Sequence, residues 1–159
     1  MTIELEPVGY VRTARTDLSD DYWGGLESRI ELDASVYDSG ALAGLTEFSH
    51  VEVIFHFDQV PLDKIVTGAR HPRGNTEWPK IGIFAQRGKN RPNRLGLTIC
   101  RVLGVDGAAL IVEGLDAVDG TPVLDIKPVM AEFEPRGDVR QPGWVAELMA
   151  DYWLEGDDK

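Results

Sequence analysis

The pattern that most constrains this chain is a series of short period-two alternations, set about ten residues apart and separated by turn residues. The clearest runs over 49–58, where Val51, Val53, Phe55 and Phe57 fall on one face and His50, Glu52, His56 and Asp58 on the other. Residues 3–12 alternate through Ile3, Leu5, Pro7, Gly9 and Val11, residues 28–32 through Ile30 and Leu32, and 81–85 form a short apolar strand candidate. Segments 97–105 and 108–115 flank Asp106-Gly107, which predicts a tight hairpin with a type I′ turn. Asp119-Gly120 offers the same turn chemistry before a strand over 121–126. Residues 13–25 read as a polar loop and 34–44 as a helical turn. One helix is predicted after Pro142, where Trp144, Val145, Leu148, Met149 and Tyr152 recur at helical spacing. Strands separated by turns rather than by helices, with no G-x-G-x-x-G after a strand, argue against a βαβ nucleotide-binding sheet. The expectation is a mainly β fold: a compact antiparallel β-barrel with a few short peripheral helices, in a single domain over 1–159. Its core covers about 5–130 and its helical tail about 142–154.

Charge sharpens the functional reading. The chain carries 16 Lys and Arg against 27 Asp and Glu, a net charge of −11. Nine of those 16 cations lie in residues 64–101, where Glu77 is the one acid, so that window carries +8 and the rest of the chain −19. Crowded like charges repel, and a fold tolerates them best when an anion shares the site. That anion could be a phosphate, a nucleic-acid backbone, a small carboxylate, or acids from elsewhere in the chain. The single cysteine, Cys100, excludes an intramolecular disulfide framework and a multi-cysteine zinc site, and suits a reducing cytosol. No apolar run approaches the ~20 residues that span a bilayer. The first residues are acidic and lack a signal-peptide core. A cytoplasmic protein with no membrane partner is expected.

Three groups of residues could carry chemistry. The polar row His50, Glu52, His56 and Asp58 has metal-ligating types, but neighbours on a straight strand stand roughly 6.6 Å apart and do not converge. The row is read as a solvated or pocket-lining face, and no metal is expected. The stretch 82–97 is a strand, then a loop bearing Arg87, Lys89, Arg91 and Arg94 with Asn90, Pro92 and Asn93, then a strand again. Arginine forks suit carboxylates and phosphates, and proline lowers the ordering cost on binding. The stretch 113–128 holds Glu113, Asp116, Asp119 and Asp125. Asp125 and Lys127 share a strand face and can pair, and Asp119 can satisfy turn N–H groups.

The run Gly-Ile-Phe-Ala-x-Arg-x-x-x-Arg-Pro-Asn-x-Leu-Gly-Leu (82–97) and the run Leu-Asp-x-x-Asp-Gly-Thr-Pro-Val-Leu-Asp-Ile-Lys-Pro (115–128) together resemble the TsaA-like or TrmO (YaeB) family. Phe48-Ser49-His50 and the Val-Gly-Tyr-Val segment at 8–11 fit the same resemblance. It implies a β-barrel that binds S-adenosylmethionine, often as a homodimer, and methylates the exocyclic amine of threonylcarbamoyl-adenosine in tRNA. An S-adenosylmethionine-binding sensor, or a methyltransferase with another acceptor, is the alternative. Carried over by position, cofactor binding falls on Phe57, Asp58, Arg87, Arg91, Asn93, Leu97, Glu113, Gly114, Leu115 and Asp116. Arg87 would meet the cofactor carboxylate, Asp116 or Glu113 the ribose or ammonium, and Leu97 the adenine. Asp119 or Asp58 would accept the proton of the amine, and Arg70, Arg73, Lys89 and Arg94 would bind the substrate's phosphates. The chain departs from the family where many members carry Pro-Arg-Gln: it has Asp21-Tyr22-Trp23-Gly24-Gly25. The longer bacterial members also carry a C-terminal domain, whereas this sequence ends in one amphipathic helix.

Overall fold

The strands of this protein, in a computed structural model that describes residues 1–156, are β1 (Gly9–Arg12), β2 (Glu27–Leu32), β3 (His50–His56), β4 (Ala69–Arg70), β5 (Ile81–Gly82), β6 (Leu95–Asp106), β7 (Ala109–Glu113) and β8 (Pro122–Pro128). Six of them close into an antiparallel barrel in the order β1-β2-β7-β6-β3-β8, and β4 and β5 form a separate ribbon. Alternation decides what lies inside. Val51, Val53 and Phe55 of β3 are buried, and they meet Val11, Ile30, Leu110, Val112 and Val123 from the other strands. Closure gives every barrel strand a partner on both sides along at least part of its length, which protects it from edge-to-edge association. Gly96 lies directly across from Phe55, and a Cβ there would stand 2.4 Å from the Phe55 ring. The ring therefore fills the space that a side chain at 96 would need.

The antiparallel register gathers three connections at one end. Residues 13–26 join β1 to β2, 57–94 join β3 to β6, and 114–121 join β7 to β8. The opposite end carries 33–49 and the two-residue turn between β6 and β7. The helix α1 (Gly143–Leu148) and the tail that follows return to the first end: the amides of Tyr22, Trp23 and Gly24 bond to the carbonyls of Asp151, Tyr152 and Leu154.

Several local expectations are corrected. Regular strand structure begins only at Gly9, because residues 3–7 have no neighbouring strand to pair with. Residues 83–85 form a 3-10 turn after a two-residue strand, not a continuous strand. The Asp106-Gly107 hairpin is present, but its loop is Gly107-Ala108, and of the two only Gly107 takes a positive φ, 61°. That is the pattern of a type II′ turn rather than I′. The segment 34–44 holds a short 3-10 turn at Ser39–Leu42, capped by the Asp38 carboxylate on the Gly40 amide. The predicted helix is regular only over α1, and turns continue the tail to Trp153.

Candidate functional site

The barrel wall is incomplete at the end where the three long connections meet. Residues 95–101 of β6 pair with β3, but pairing with β7 starts only at Arg101 opposite Glu113. Along residues 95–100, the side of β6 facing away from β3 is therefore open to the chain 114–118 and to the loops. Four side chains meet at this gap. Thr98 donates its hydroxyl to Asp116 Oδ1, Tyr152 donates its phenol to Asp116 Oδ2, and Arg87 donates to the carbonyl of Leu97. Burial, then the Asp116 charge, push the Tyr152 phenol well above its ordinary range, and the nearby Arg87 cation opposes them. One neutral phenol is thus bonded to a carboxylate and feels a guanidinium nearby. The Cys100 thiol, on the inner face of the same strand, is also pushed up, by burial first and by Asp116 second, so it stays protonated and unreactive.

Sequence reasoning brought some of these residues together and missed others. Arg87, Leu97 and Asp116 converge at the gap. The Leu97 side chain, however, is exposed on the outer face of β6, and it is the Leu97 carbonyl that turns toward Arg87. Gly114 takes a positive φ of 81° and its amide bonds to the Leu26 carbonyl, which ties the segment after β7 to the first loop. Leu115 is fully buried in the core. Glu113 pairs with Arg101 at 3.4 Å and lines a cleft of about 970 Å³ between the first loop and the tail. Phe57 packs edge-on against Phe55 with centroids 5.2 Å apart, and Asp58 is exposed just beyond β3. Asn93 and Arg94 both take positive φ, 62° and 50°, and Arg91 donates to the Gln86 carbonyl at 2.7 Å. The cost of a non-glycine residue in this region is about 1–3 kcal/mol. Tyr22 and Arg73 share the strain, so all four such residues among the described ones lie in the loops at this end.

The cations assigned to a phosphate backbone are partly neutralised within the fold. Arg73 makes a two-pronged contact to Asp21 at 2.8 and 2.7 Å, and Lys89 reaches Asp20 at 3.3 Å. Arg94 donates to the Val60 carbonyl at 2.9 Å. Arg70 makes no ion pair among the described residues, and its Nε is buried without a partner. The charge-paired loop is itself built around Arg15, which donates to the carbonyls of Ser19, Asp21 and Tyr22 at 3.0, 2.9 and 2.8 Å. The Arg15 guanidinium also lies 3.5 Å from the centroid of the buried Trp23 ring. Asp119 accepts the Thr13 amide at 3.2 Å, and Asp125 pairs with Lys127 at 2.8 Å.

The residues missed are Thr98, Tyr152, Arg15 and Asp20. Thr98 left a signal: it is the polar residue at an inward position of an apolar strand. The others make contacts across 36 to 69 residues of chain or fold a loop on itself, and no local pattern reports such contacts.

The residues at the gap fit a zwitterionic nucleoside: a guanidinium for a carboxylate, a hydrogen-bonded carboxylate for hydroxyls or an ammonium, and an open stretch of strand between them. Comparison with known proteins points the same way. Residues 19–135 match the family model described as the tRNA-methyltransferase O N-terminal domain. The chain is 39% identical over 102 residues to a human tRNA (adenine(37)-N6)-methyltransferase, covering 64% of this chain and 23% of that protein. It is 35% identical over 151 residues to a putative S-adenosylmethionine-dependent methyltransferase, RcsF, of Pseudomonas aeruginosa, covering 88% of this chain and 62% of that protein. A probable S-adenosyl-L-methionine-binding protein of Methanothermobacter thermautotrophicus is 36% identical over 141 residues, with 86% of this chain and 97% of that protein covered. The crystal structure of TrmO from P. aeruginosa superposes with a TM-score of 0.72 at 30% identity, over 91% of this chain and 62% of that one. The chain therefore spans under two thirds of the human and Pseudomonas relatives and nearly all of the archaeal one.

Proposed function

The chain belongs to the family of tRNA-methyltransferase O N-terminal domains, and from that premise we propose that it is an S-adenosylmethionine-dependent methyltransferase acting on the exocyclic amine of threonylcarbamoyl-adenosine in tRNA. The observation that carries the reading is the convergence of Arg87 and Asp116 on one gap in the barrel wall, with Tyr152 bonded to Asp116. When bound, the cofactor supplies an electrophilic methyl carbon on a sulfonium. Arg87 holds the cofactor carboxylate, and Asp116, aligned by Thr98, takes the ribose hydroxyls or the ammonium. Orientation then provides most of the rate, because a displacement needs its reactants in line. Of the two carboxylates considered for proton acceptance, Asp58 is exposed at the strand end, whereas Asp119 is engaged by the Thr13 amide. Asp58 is therefore the acceptor of choice. Arg70 and Arg94 meet the RNA, with Arg73 and Lys89 available only after they part from Asp21 and Asp20. A homodimer suits the outer face of β6, where Leu95, Leu97, Ile99, Leu103 and Val105 are exposed in one stripe beside the site. The compartment proposed is the cytoplasm.

The internal pairing of Arg73 and Lys89 favours a second reading, a cofactor-binding module that does not act on RNA. Incubation with methyl-labelled S-adenosylmethionine and bulk tRNA separates the two: label in RNA supports the enzyme, and binding without transfer supports the module. Calorimetry tests the site itself. Arg87→Ala is expected to weaken S-adenosylmethionine binding at least tenfold, as loss of a charge-assisted contact would. Unchanged affinity would remove Arg87 from the site.

A further inference from the structure

We propose that Tyr152 is a positioning residue of the cofactor site, so that the C-terminal tail is a working part of that site; the inference rests on the reading of Asp116 given above. The two Asp116 oxygens each receive one hydroxyl, Oδ1 from Thr98 and Oδ2 from Tyr152. A carboxylate with both oxygens engaged cannot rotate about its terminal torsion, and its remaining lone pairs point in fixed directions. Thr98 belongs to the barrel, but Tyr152 arrives from a segment outside the residues 19–135 that match the family model.

The tail is held in place independently of that phenol. The amides of Tyr22, Trp23 and Gly24 bond to tail carbonyls at 3.1, 2.8 and 3.2 Å. A Cβ on Gly24 would stand 2.0 Å from the Trp153 carbonyl oxygen, so the loop and the tail touch backbone to backbone. Further back, Trp78 donates to Glu147 at 2.9 Å, and its ring lies 6.5 Å from that of Trp144. The loop segment gripped by the tail is Tyr22-Trp23-Gly24. Tail and loop thus form one unit that delivers a hydroxyl to Asp116, and this chain's own residues complete the pocket there. Removing the phenol oxygen alone should loosen Asp116 and leave the tail docked.

The test is a double-mutant cycle read by calorimetry with S-adenosylmethionine on wild type, Tyr152→Phe, Asp116→Asn and the double variant. Tyr152→Phe should bind about tenfold more weakly than wild type. In the Asp116→Asn background the same change should cost less than about twofold. Limited proteolysis should find the tail of Tyr152→Phe as protected as in wild type. Wild-type affinity in Tyr152→Phe would overturn the inference and leave the cofactor reading intact. So would an equal loss in both backgrounds, which marks a buttress rather than a positioning contact. If Asp116→Asn binds too weakly to titrate, proteolysis decides: a released tail in Tyr152→Phe overturns the inference, and a protected one sustains it. No binding by wild type would overturn the cofactor reading and this inference with it.

Discussion

At the residue scale, polar groups near the gap are tuned by what surrounds them. His56 ends β3 and carries a pKa below the ordinary histidine value of 6.5, through burial first and the Arg94 cation second, with Asp58 opposing both. A depressed histidine pKa means that the folded state binds its proton less readily than the unfolded chain. The contribution to stability is therefore fully present above about pH 6.5 and is lost as the pH falls through the lower folded value. Chemical denaturation from pH 7.5 to 5 should show a smaller acid loss for His56→Gln than for wild type; equal losses would place the acid sensitivity elsewhere. Sequence alone put His56 on the polar face of its strand. It could not show that Arg94, 38 positions away, turns back to share that surface, because the turn depends on the strained backbone at Asn93 and Arg94.

At the element scale, period-two alternation was enough to identify the central strands. Val51, Val53 and Phe55 are buried as their spacing requires, and the outward row on β6 from Leu95 to Val105 is exposed. Alternation failed at 3–7 and the apolar run failed at 83–85, where the pattern exists but no strand pairs with it. Strand structure is completed by pairing, and pairing is not local. The tail shows the same dependence from the other side. Its turns after α1 are fixed by the carbonyls that the loop at 22–24 captures, more than by helical propensity. Gly24→Ala drives a Cβ into the Trp153 carbonyl and should cost about 1–3 kcal/mol. Thermal unfolding measures that cost, and limited proteolysis should find the tail cleaved earlier than in wild type. An alanine variant with an unchanged tail would show that loop and tail can separate without consequence.

At the scale of the whole molecule, the cationic window has two kinds of partner. Arg73 and Lys89 lie against Asp21 and Asp20, and Arg70 and Arg91 make no ion pair among the described residues. Each RNA phosphate neutralised contributes about 0.7–0.9 to the slope of log affinity against log salt. Asp20→Asn/Asp21→Asn frees two cations, so tRNA binding should tighten at low salt and its slope should steepen by between one and two. An unchanged slope would mean that Arg73 and Lys89 never meet the RNA. By itself the sequence determined the central strands, the hairpin between β6 and β7, the excess of cations over 64–101, and the two motifs that carry the family resemblance, because each is written in neighbouring residues. Only the tertiary structure decided which cations are already paired, that the Leu97 carbonyl faces the site while its side chain faces outward, and that Tyr152 comes to Asp116. Those facts depend on the antiparallel closure that gathers three distant loops and the tail at one end of the barrel, and residues far apart in the chain acquire their chemistry only when closure makes them neighbours.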